Sequence, residues 1–566
     1  MDYKPLPIGI DNFEKLITRG YYFIDKTLFI KDLLGNKADV NLFTRPRRFG
    51  KTLNMSMLQY YFEDMRDELS GEKKDNSYLF EELNIMKCGE EYTSHMGQYP
   101  VISLSLKSAK QPDFEMSYES IIDEISKEYT RHYFILKSDK LLENEKEVFM
   151  NIINKNASPI EYAKSLQFLS ICLEKYYDKK VIILIDEYDV PLENAFFEGF
   201  YDEMIKFIRS LFESALKTNS ALEFAVITGC LRISRESIFT GLNNLKIISI
   251  LDERYDEYFG FTDEEVKKAC EDYNMIQKYE VIKEWYNGYI FGDANVYNPW
   301  SVMQYIDDLK VNVKKYPKSY WANTSSNSIV KSLIERADDE TKYEIESLIE
   351  GKTIEKPVHE DITYDEVYDS IDNLYNFMFF TGYFKKVNER IDEEDNKFIE
   401  LTIPNKEVKY IFRTKILKWF EQKIKMRDFT EMYNAIIDSA AETFEEELAS
   451  VLLETISFND AYENFYHGFV TGVLSNMKGY IVKSNRETGN GRSDIFIKPV
   501  SRRKTAVILE LKVAKTFDDL ERRADDALKQ IEEKKYEMEL RDDGYKNIIK
   551  YGISFFKKDC VVKIKE

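Results

Sequence analysis

Five continuous apolar runs constrain this chain more than any other feature: "VNLFTR" at 40–45, "YPVISLSL" at 99–106, "KVIILIDEYD" at 180–189, "LEFAVITG" at 222–229 and "LKIISIL" at 245–251. Strands this apolar need cover on both faces, and the stretches between them have the length and character of helices. That alternation predicts a parallel sheet sandwiched by helices, an α/β domain over residues 1–261. From Thr262, a helix N-cap followed by acidic residues, the pattern changes. Residues 262–440 read as a mostly helical lid or adaptor, interrupted by an aromatic-rich stretch at 285–306 and by the hairpin-like "YFKKVNERIDEEDNKFIELTIPN". Strands and helices return over 441–566, in "KGYIVKSN", "SDIFIKP", "TAVILELKV" and "YGISFF".

At 566 residues the chain exceeds one ordinary core, so two to four domains are expected. Hydrophobic residues make up 43% and aromatics 14%, enough for well-built interiors. No apolar run approaches the roughly 20 residues of a membrane span. The N-terminal stretch lacks a basic segment followed by an apolar core, so a cytoplasmic location without a membrane is the expectation. Five scattered cysteines, with no C-x-x-C pair, argue against a disulfide framework or a cysteine-ligated zinc. A net charge of -21 argues against polyanion binding by the whole surface, though not against a local basic groove.

The first apolar run leads into "RPRRFGKT", where Gly50, Lys51 and Thr52 precede a helix-like segment. A strand entering such a loop and a helix leaving it point backbone N–H groups and the helix dipole at a phosphate. Lys51 is placed for the β/γ-phosphates and Thr52 for Mg²⁺. Arg45, Arg47 and Arg48 add positive charge, while Arg45 and Pro46 build the turn without its usual first glycine, and Phe49 completes the loop. The third run ends in Asp186, suited to the outer shell of Mg²⁺, and Glu187, suited to the base that orients a water. Their plain alternative is an ordinary buried strand ending in solvated acids. Thr228, at the end of "FAVIT", could sense the γ-phosphate or that water. Arg232 could supply charge to a transition state, or be a surface arginine after a strand.

In combination these stretches resemble a bacterial AAA-ATPase-like family with a C-terminal PD-(D/E)XK nuclease domain. The matching segments are "PIGIDNFEKL", "YYFIDKT", "TRPRRFGKT", "LIDEYDVP", "ITGCLRIS" with "IFTGLNNL", "WYNGY" with "YNPWSV", and "YWANTSSN". The family's loop reads R-P-R-R-F-G-K-[ST], so the absent glycine is a family variant. The resemblance implies ATP and Mg²⁺ as cofactors; Asp189, Pro191, Asp25 and Lys26 match further family motifs. Related ATPases often form rings, so a homo-oligomer is an expectation, although no arginine acting on a neighbouring copy can be assigned.

The last region makes an independent case. In "TAVILELKV", Glu510 and Lys512 share one strand face and Val507, Leu509 and Leu511 the other. If the preceding strand forms a hairpin around Arg502, Asp494 falls opposite Glu510. Two carboxylates for Mg²⁺ and a lysine for the attacking water then converge, the chemistry of phosphodiester hydrolysis. The D-(x)15-E-x-K spacing fits the nuclease pattern, with Ser493 in place of its leading proline. Glu463 matches the upstream glutamate and Gln530 the later Q-I motif; His467, one turn beyond Glu463, is set aside as a packed helix residue. Residues 478–504 hold eight Lys or Arg against two acids, a local basic segment fitted to nucleic acid, DNA ahead of RNA, or else a basic hairpin without a partner.

Two readings follow. One is an ATP-hydrolysing switch joined to a Mg²⁺-dependent nuclease that cuts DNA or RNA. The other is a nucleotide-dependent sensor whose C-terminal domain binds nucleic acid or a partner without cutting. A third, an inactive paralogue kept for structure, is disfavoured by Glu187.

Overall fold

The computed structural model describes residues 3–36, 38–231, 239, 243–321, 328–360, 362–453, 463–475, 477–485 and 494–565. They form two compact units: Met1–Ile329 with Glu355–Tyr410, and Val330–Ile354 with Ile411–Glu566. The segment 262–440 is therefore shared between the units rather than standing as one body.

In the first unit all five apolar runs become strands: β1 (Val40–Thr44), β2 (Val101–Ser105), β3 (Val181–Asp186), β4 (Leu222–Gly229) and β5 (Leu245–Ile248). They pair in parallel, in the order β2-β3-β4-β1-β5. Every residue of β1 and β3 is buried, whereas the edge strands β2 and β5 keep partly exposed positions. Central strands lose water on both faces, and each fully buried Val, Leu or Ile contributes roughly 1.5–3 kcal/mol. The order places β4 between β1 and β3. All five strands also end at the same edge, where α/β sheets bind ligands.

Beyond the sheet, Thr262 caps the helix Asp263–Asp272 through a reciprocal capping box with Glu265. A small antiparallel sheet follows, from β6 (Phe261–Thr262), β7 (Tyr289–Phe291) and β8 (Ala294–Tyr297). Another is built from β9 (Ile354–Pro357), β10 (Lys385–Ile391) and β11 (Lys397–Thr402), of which β10–β11 is the hairpin expected from the sequence.

The second unit carries a mixed five-stranded sheet of β12 (Tyr480–Asn485), β13 (Asp494–Pro499), β14 (Ala506–Val513), β15 (Ile548–Phe556) and β16 (Asp559–Lys565), in that order. Only β14–β15 is parallel, and the crossover between them contains the helices Leu520–Glu533 and Glu537–Asp542. One face packs Val507, Leu509 and Leu511 into the main core; the other packs Phe496, Ala506 and Ile508 against Ile531 and Leu540. Among the described residues no helix is long and apolar enough to cross a membrane.

Candidate functional site

The loop 45–50 closes β1 onto the helix Lys51–Phe62. Gly50 sits at φ +85°, a left-handed conformation that leaves the loop open to a ligand, and no atom lies within 4 Å of where a Cβ would stand. Lys51 Nζ donates to the carbonyls of Arg45 and Pro46 at 2.7 and 3.0 Å and lies 3.5 Å from Cys230 Sγ. Thr52 Oγ1 donates to Asp186 Oδ2 at 2.7 Å, and Thr228 Oγ1 donates to Asp186 Oδ1. The interposed strand β4 is what makes this possible, because it delivers Thr228 between the loop strand and the acidic strand.

Glu187 follows Asp186 with φ +54°, a conformation that costs energy in a residue with a Cβ. Its N–H donates to Thr228 Oγ1 at 3.4 Å. Burial, then the neighbouring Asp186 charge, pushes the Glu187 carboxyl above its ordinary range. Asp189 ties the two acidic and basic motifs together, accepting from the N–H groups of Cys230 at 2.7 Å and Leu231 at 3.1 Å. Gly229 is required by packing: a Cβ there would meet the Tyr188 ring at 2.4 Å.

Arg45 presents no charge to this centre. It is fully buried, and its guanidinium donates to the carbonyls of Thr44, Ile248 and Tyr255 while lying 5.2 Å from the rings of both Phe259 and Phe291. Burial lowers its pKa to about 10. Arg45 thus substitutes for the missing glycine as an internal brace, and neither it nor Pro46 lines the cleft. Arg47, paired with Glu193, and Arg48, 4.5 Å over the Trp300 ring, do line it. Arg232 lies outside the described residues.

The cleft beside the loop measures about 480 Å³. Among the described residues its polar lining holds six cations (Lys26, Arg47, Arg48, Lys51, Lys107 and Lys110) against two acids, Asp11 and Glu187. In a chain of net charge -21 that is a local concentration of positive charge. Pro7, Ile8, Ile10, Phe23, Trp300 and Met303 add an apolar wall. The sequence pattern pointed to "PIGIDNFEKL", "YYFIDKT" and "YNPWSV" as motifs without showing that they meet here. Lys26 Nζ contacts Glu265 and the Glu257 carbonyl at 2.7 Å, whereas Asp25 has a structural task, accepting from the N–H groups of Thr27 and Asn84.

In the second unit the β13–β14 register pairs Asp494 with Glu510, the pairing a hairpin around Arg502 gives. Glu510 is fully buried and accepts from Lys512 Nζ at 3.0 Å. On its other side Glu510 pairs with Gly552, over which the helix Leu520–Glu533 passes so closely that a Cβ would meet the Ala524 carbonyl at 2.3 Å. That helix directs Glu521 and Asp525 to Lys563, and Glu532 to Lys565, on β16. Its opposite flank, which carries the half-buried Gln530, is therefore turned towards β13 and β14. Glu463 opens the helix Glu463–Leu474, and His467 is buried within it. The side chains of Glu463 and Asp494 lie outside the described residues.

The basic segment divides. Lys498 is spent internally, bonded to Glu539 at 2.9 Å and Asp543 at 2.8 Å. Lys478, Lys483, Arg502, Arg503 and Lys504 are exposed. Arg486 and Arg492 lie outside the described residues.

A parallel sheet with a Gly-Lys-Thr loop after β1, a helix leaving it and an acidic pair closing a nearby strand defines the first unit as a P-loop nucleotide-binding fold. Comparison with known families agrees: residues 7–239 match the predicted AAA-ATPase model, and residues 461–565 match the PD-(D/E)XK nuclease superfamily model. The two matches, to an AAA-ATPase-like domain and then to a PD-(D/E)XK nuclease superfamily domain, fall in that order along the chain. It is 27% identical over 339 residues to an uncharacterized protein in the vnfD 5′ region of Azotobacter chroococcum, a match covering 59% of this chain and 57% of that relative. Among solved structures it is similar to a signal transduction ATPase with numerous domains, bearing a tetratricopeptide repeat sensor, from Pyrococcus horikoshii; identity is 13%, TM-score 0.23, and coverage 80% of this chain and 57% of that one.

Proposed function

We propose that the first unit binds and hydrolyses ATP, and that the second is a Mg²⁺-dependent nuclease whose cutting of nucleic acid, DNA ahead of RNA, is regulated by the nucleotide. The observation that carries the first half is the hydrogen-bonded cluster of Thr52, Asp186, Thr228 and Glu187, of which Thr52 and Glu187 line a cleft with six cationic side chains. A hydroxyl beside a carboxylate is a hard-oxygen donor set that fits Mg²⁺, and the cationic cradle with an apolar wall fits a nucleoside triphosphate. When bound, the metal supplies charge neutralisation on the phosphate oxygens. Lys51 and the loop N–H groups bind the phosphates, Thr228 holds Asp186 in place, and Glu187 takes the proton from the attacking water. In the second unit Asp494 and Glu510 would hold Mg²⁺, Lys512 would position the water, and Glu463 and Gln530 would support them.

One observation favours the sensor reading instead. Glu510 has no exposed surface, and a carboxylate that serves a cutting metal needs an approach for water and phosphate. The test is supercoiled plasmid with Mg²⁺ or Mn²⁺, with and without ATP, on wild type, Lys51→Ala and Asp494→Ala. Asp494→Ala should lose cutting and keep ATP hydrolysis. Full cutting by Asp494→Ala removes the nuclease assignment, and no cutting under any metal, beside measurable ATP hydrolysis, selects the sensor.

A further inference from the structure

Lys107 is a cation at the cleft for which the loop and the acidic strand give no account. β2 lies at the edge of the sheet beside β3, with Ser105 opposite Asp186. The pairing runs one residue past the strand, because the Leu106 N–H donates to the Asp186 carbonyl at 3.0 Å. Lys107 is therefore set alongside Glu187, and both line the cleft that holds Lys51 and Thr52. Lys107 also acts on Glu187 electrostatically, offsetting part of the rise that burial imposes on its carboxyl. Its partner is Asp11, which lines the same cleft, 3.7 Å away in an ion pair exposed on both sides. Such a pair is weak, so a triphosphate competes for the ammonium with little opposition.

We propose that Lys107 provides, from the turn that follows this chain's own β2, the cation that contacts the terminal phosphate of the nucleotide as it is transferred to water. This rests on the ATPase reading above and goes beyond it by naming a charge supplied within one chain. In the step, the water oxygen bonds to the γ-phosphorus and the bond from that phosphorus to the bridging oxygen breaks, its electron pair leaving with ADP. The water proton passes to Glu187, and Lys107 stabilises the charge gathering on the equatorial oxygens. A cation used this way acts on kcat, whereas one that merely attracts the triphosphate acts on affinity.

The experiment is steady-state hydrolysis of Mg·ATP by the full chain, with affinity for a fluorescent non-hydrolysable ATP analogue measured in parallel, on wild type, Lys107→Ala, Lys107→Met and Lys107→Arg. The Lys107 side chain is 62% exposed, and the Met variant keeps its stem should Ala loosen the turn. Lys107→Ala and Lys107→Met should lose roughly 10²-fold in kcat, with affinity for the analogue changed by less than about threefold, and Lys107→Arg should recover part of the rate. Unchanged kcat in both neutral variants overturns the inference. So does a parallel loss of rate and affinity for the analogue, which would make Lys107 a binding charge only. An inactive wild type overturns the ATPase reading itself, a result distinct from either.

Discussion

The nucleotide cleft and the carboxylate–lysine patch are assembled in opposite ways. The cleft takes its lining from Pro7 through Met303, gathered by the sheet order β2-β3-β4-β1-β5, while the patch comes from β13 and β14, neighbours in the chain. A hairpin fixes its own register, so a two-residue spacing and a turn suffice to set Asp494 against Glu510. A parallel sheet fixes nothing locally: which strand stands between β1 and β3 is decided only when all of them pack. The cleft is also cationic, whereas the patch buries its central carboxylate beside Lys512.

The sharpest way to break this comparison is to disable each centre alone. Lys51→Ala should lower ATP hydrolysis by roughly 10²–10³-fold, and Glu510→Ala should leave that rate within about twofold while abolishing plasmid nicking. Loss of ATP hydrolysis in Glu510→Ala, assayed on the purified full chain, would show that the centres are not separable.

A large stability effect is expected at Arg45. Replacing it with Met leaves the Thr44, Ile248 and Tyr255 carbonyls without their buried donor, at about 3 kcal/mol, read as a lower midpoint in urea unfolding of the first unit. An unchanged midpoint would mean that the brace is dispensable.

Glu407 gives a smaller, pH-dependent effect. Its Oε1 accepts from Ser301 Oγ and the N–H groups of Tyr320 and Trp321, its Oε2 is buried without a hydrogen bond among the described residues, and burial raises its pKa from 4.5 to about 7. A raised folded-state carboxyl pKa means that the native state holds the proton more tightly. The contribution is complete below about pH 4.5 and is lost as pH rises through about 7, on the order of 3 kcal/mol. Glu407→Gln, which keeps an acceptor oxygen, should flatten this part of the stability profile between pH 5 and 8. A profile identical to wild type would assign the titration elsewhere.

The smallest effect is expected at Thr228. Thr228→Val removes the donor to Asp186 Oδ1 and the acceptor for the Glu187 N–H, so hydrolysis should fall roughly tenfold, with about 1 kcal/mol of stability. An unchanged rate would show that Asp186 needs no bracing from β4.

The five apolar runs were legible as strands because a strand covered on both faces must be apolar along its length. The phosphate loop, the acidic pair and the Glu510–Lys512 spacing were legible because each is local chemistry on one element. Strand β16 was not, since it alternates apolar residues with lysines that pair to the helix Leu520–Glu533, a contact with no signature in its own pattern. Arg45 misled for a related reason. Its place in the turn was legible, but an arginine among arginines reads as added charge for the loop until packing supplies carbonyls and aromatic rings to bury it.

By itself, then, the order of residues determined which segments become strands, where a phosphate loop forms and which carboxylates face one another across a hairpin. Tertiary structure alone decided that the N-terminal segment and Trp300 wall the cleft, that Lys107 stands beside Glu187 and that Lys498 is withdrawn into an ion triplet. The physical reason is range. Local geometry is set by backbone sterics and hydrogen bonds a few residues apart, while a charge acquires its role from whatever the folded chain brings within a few ångströms of it.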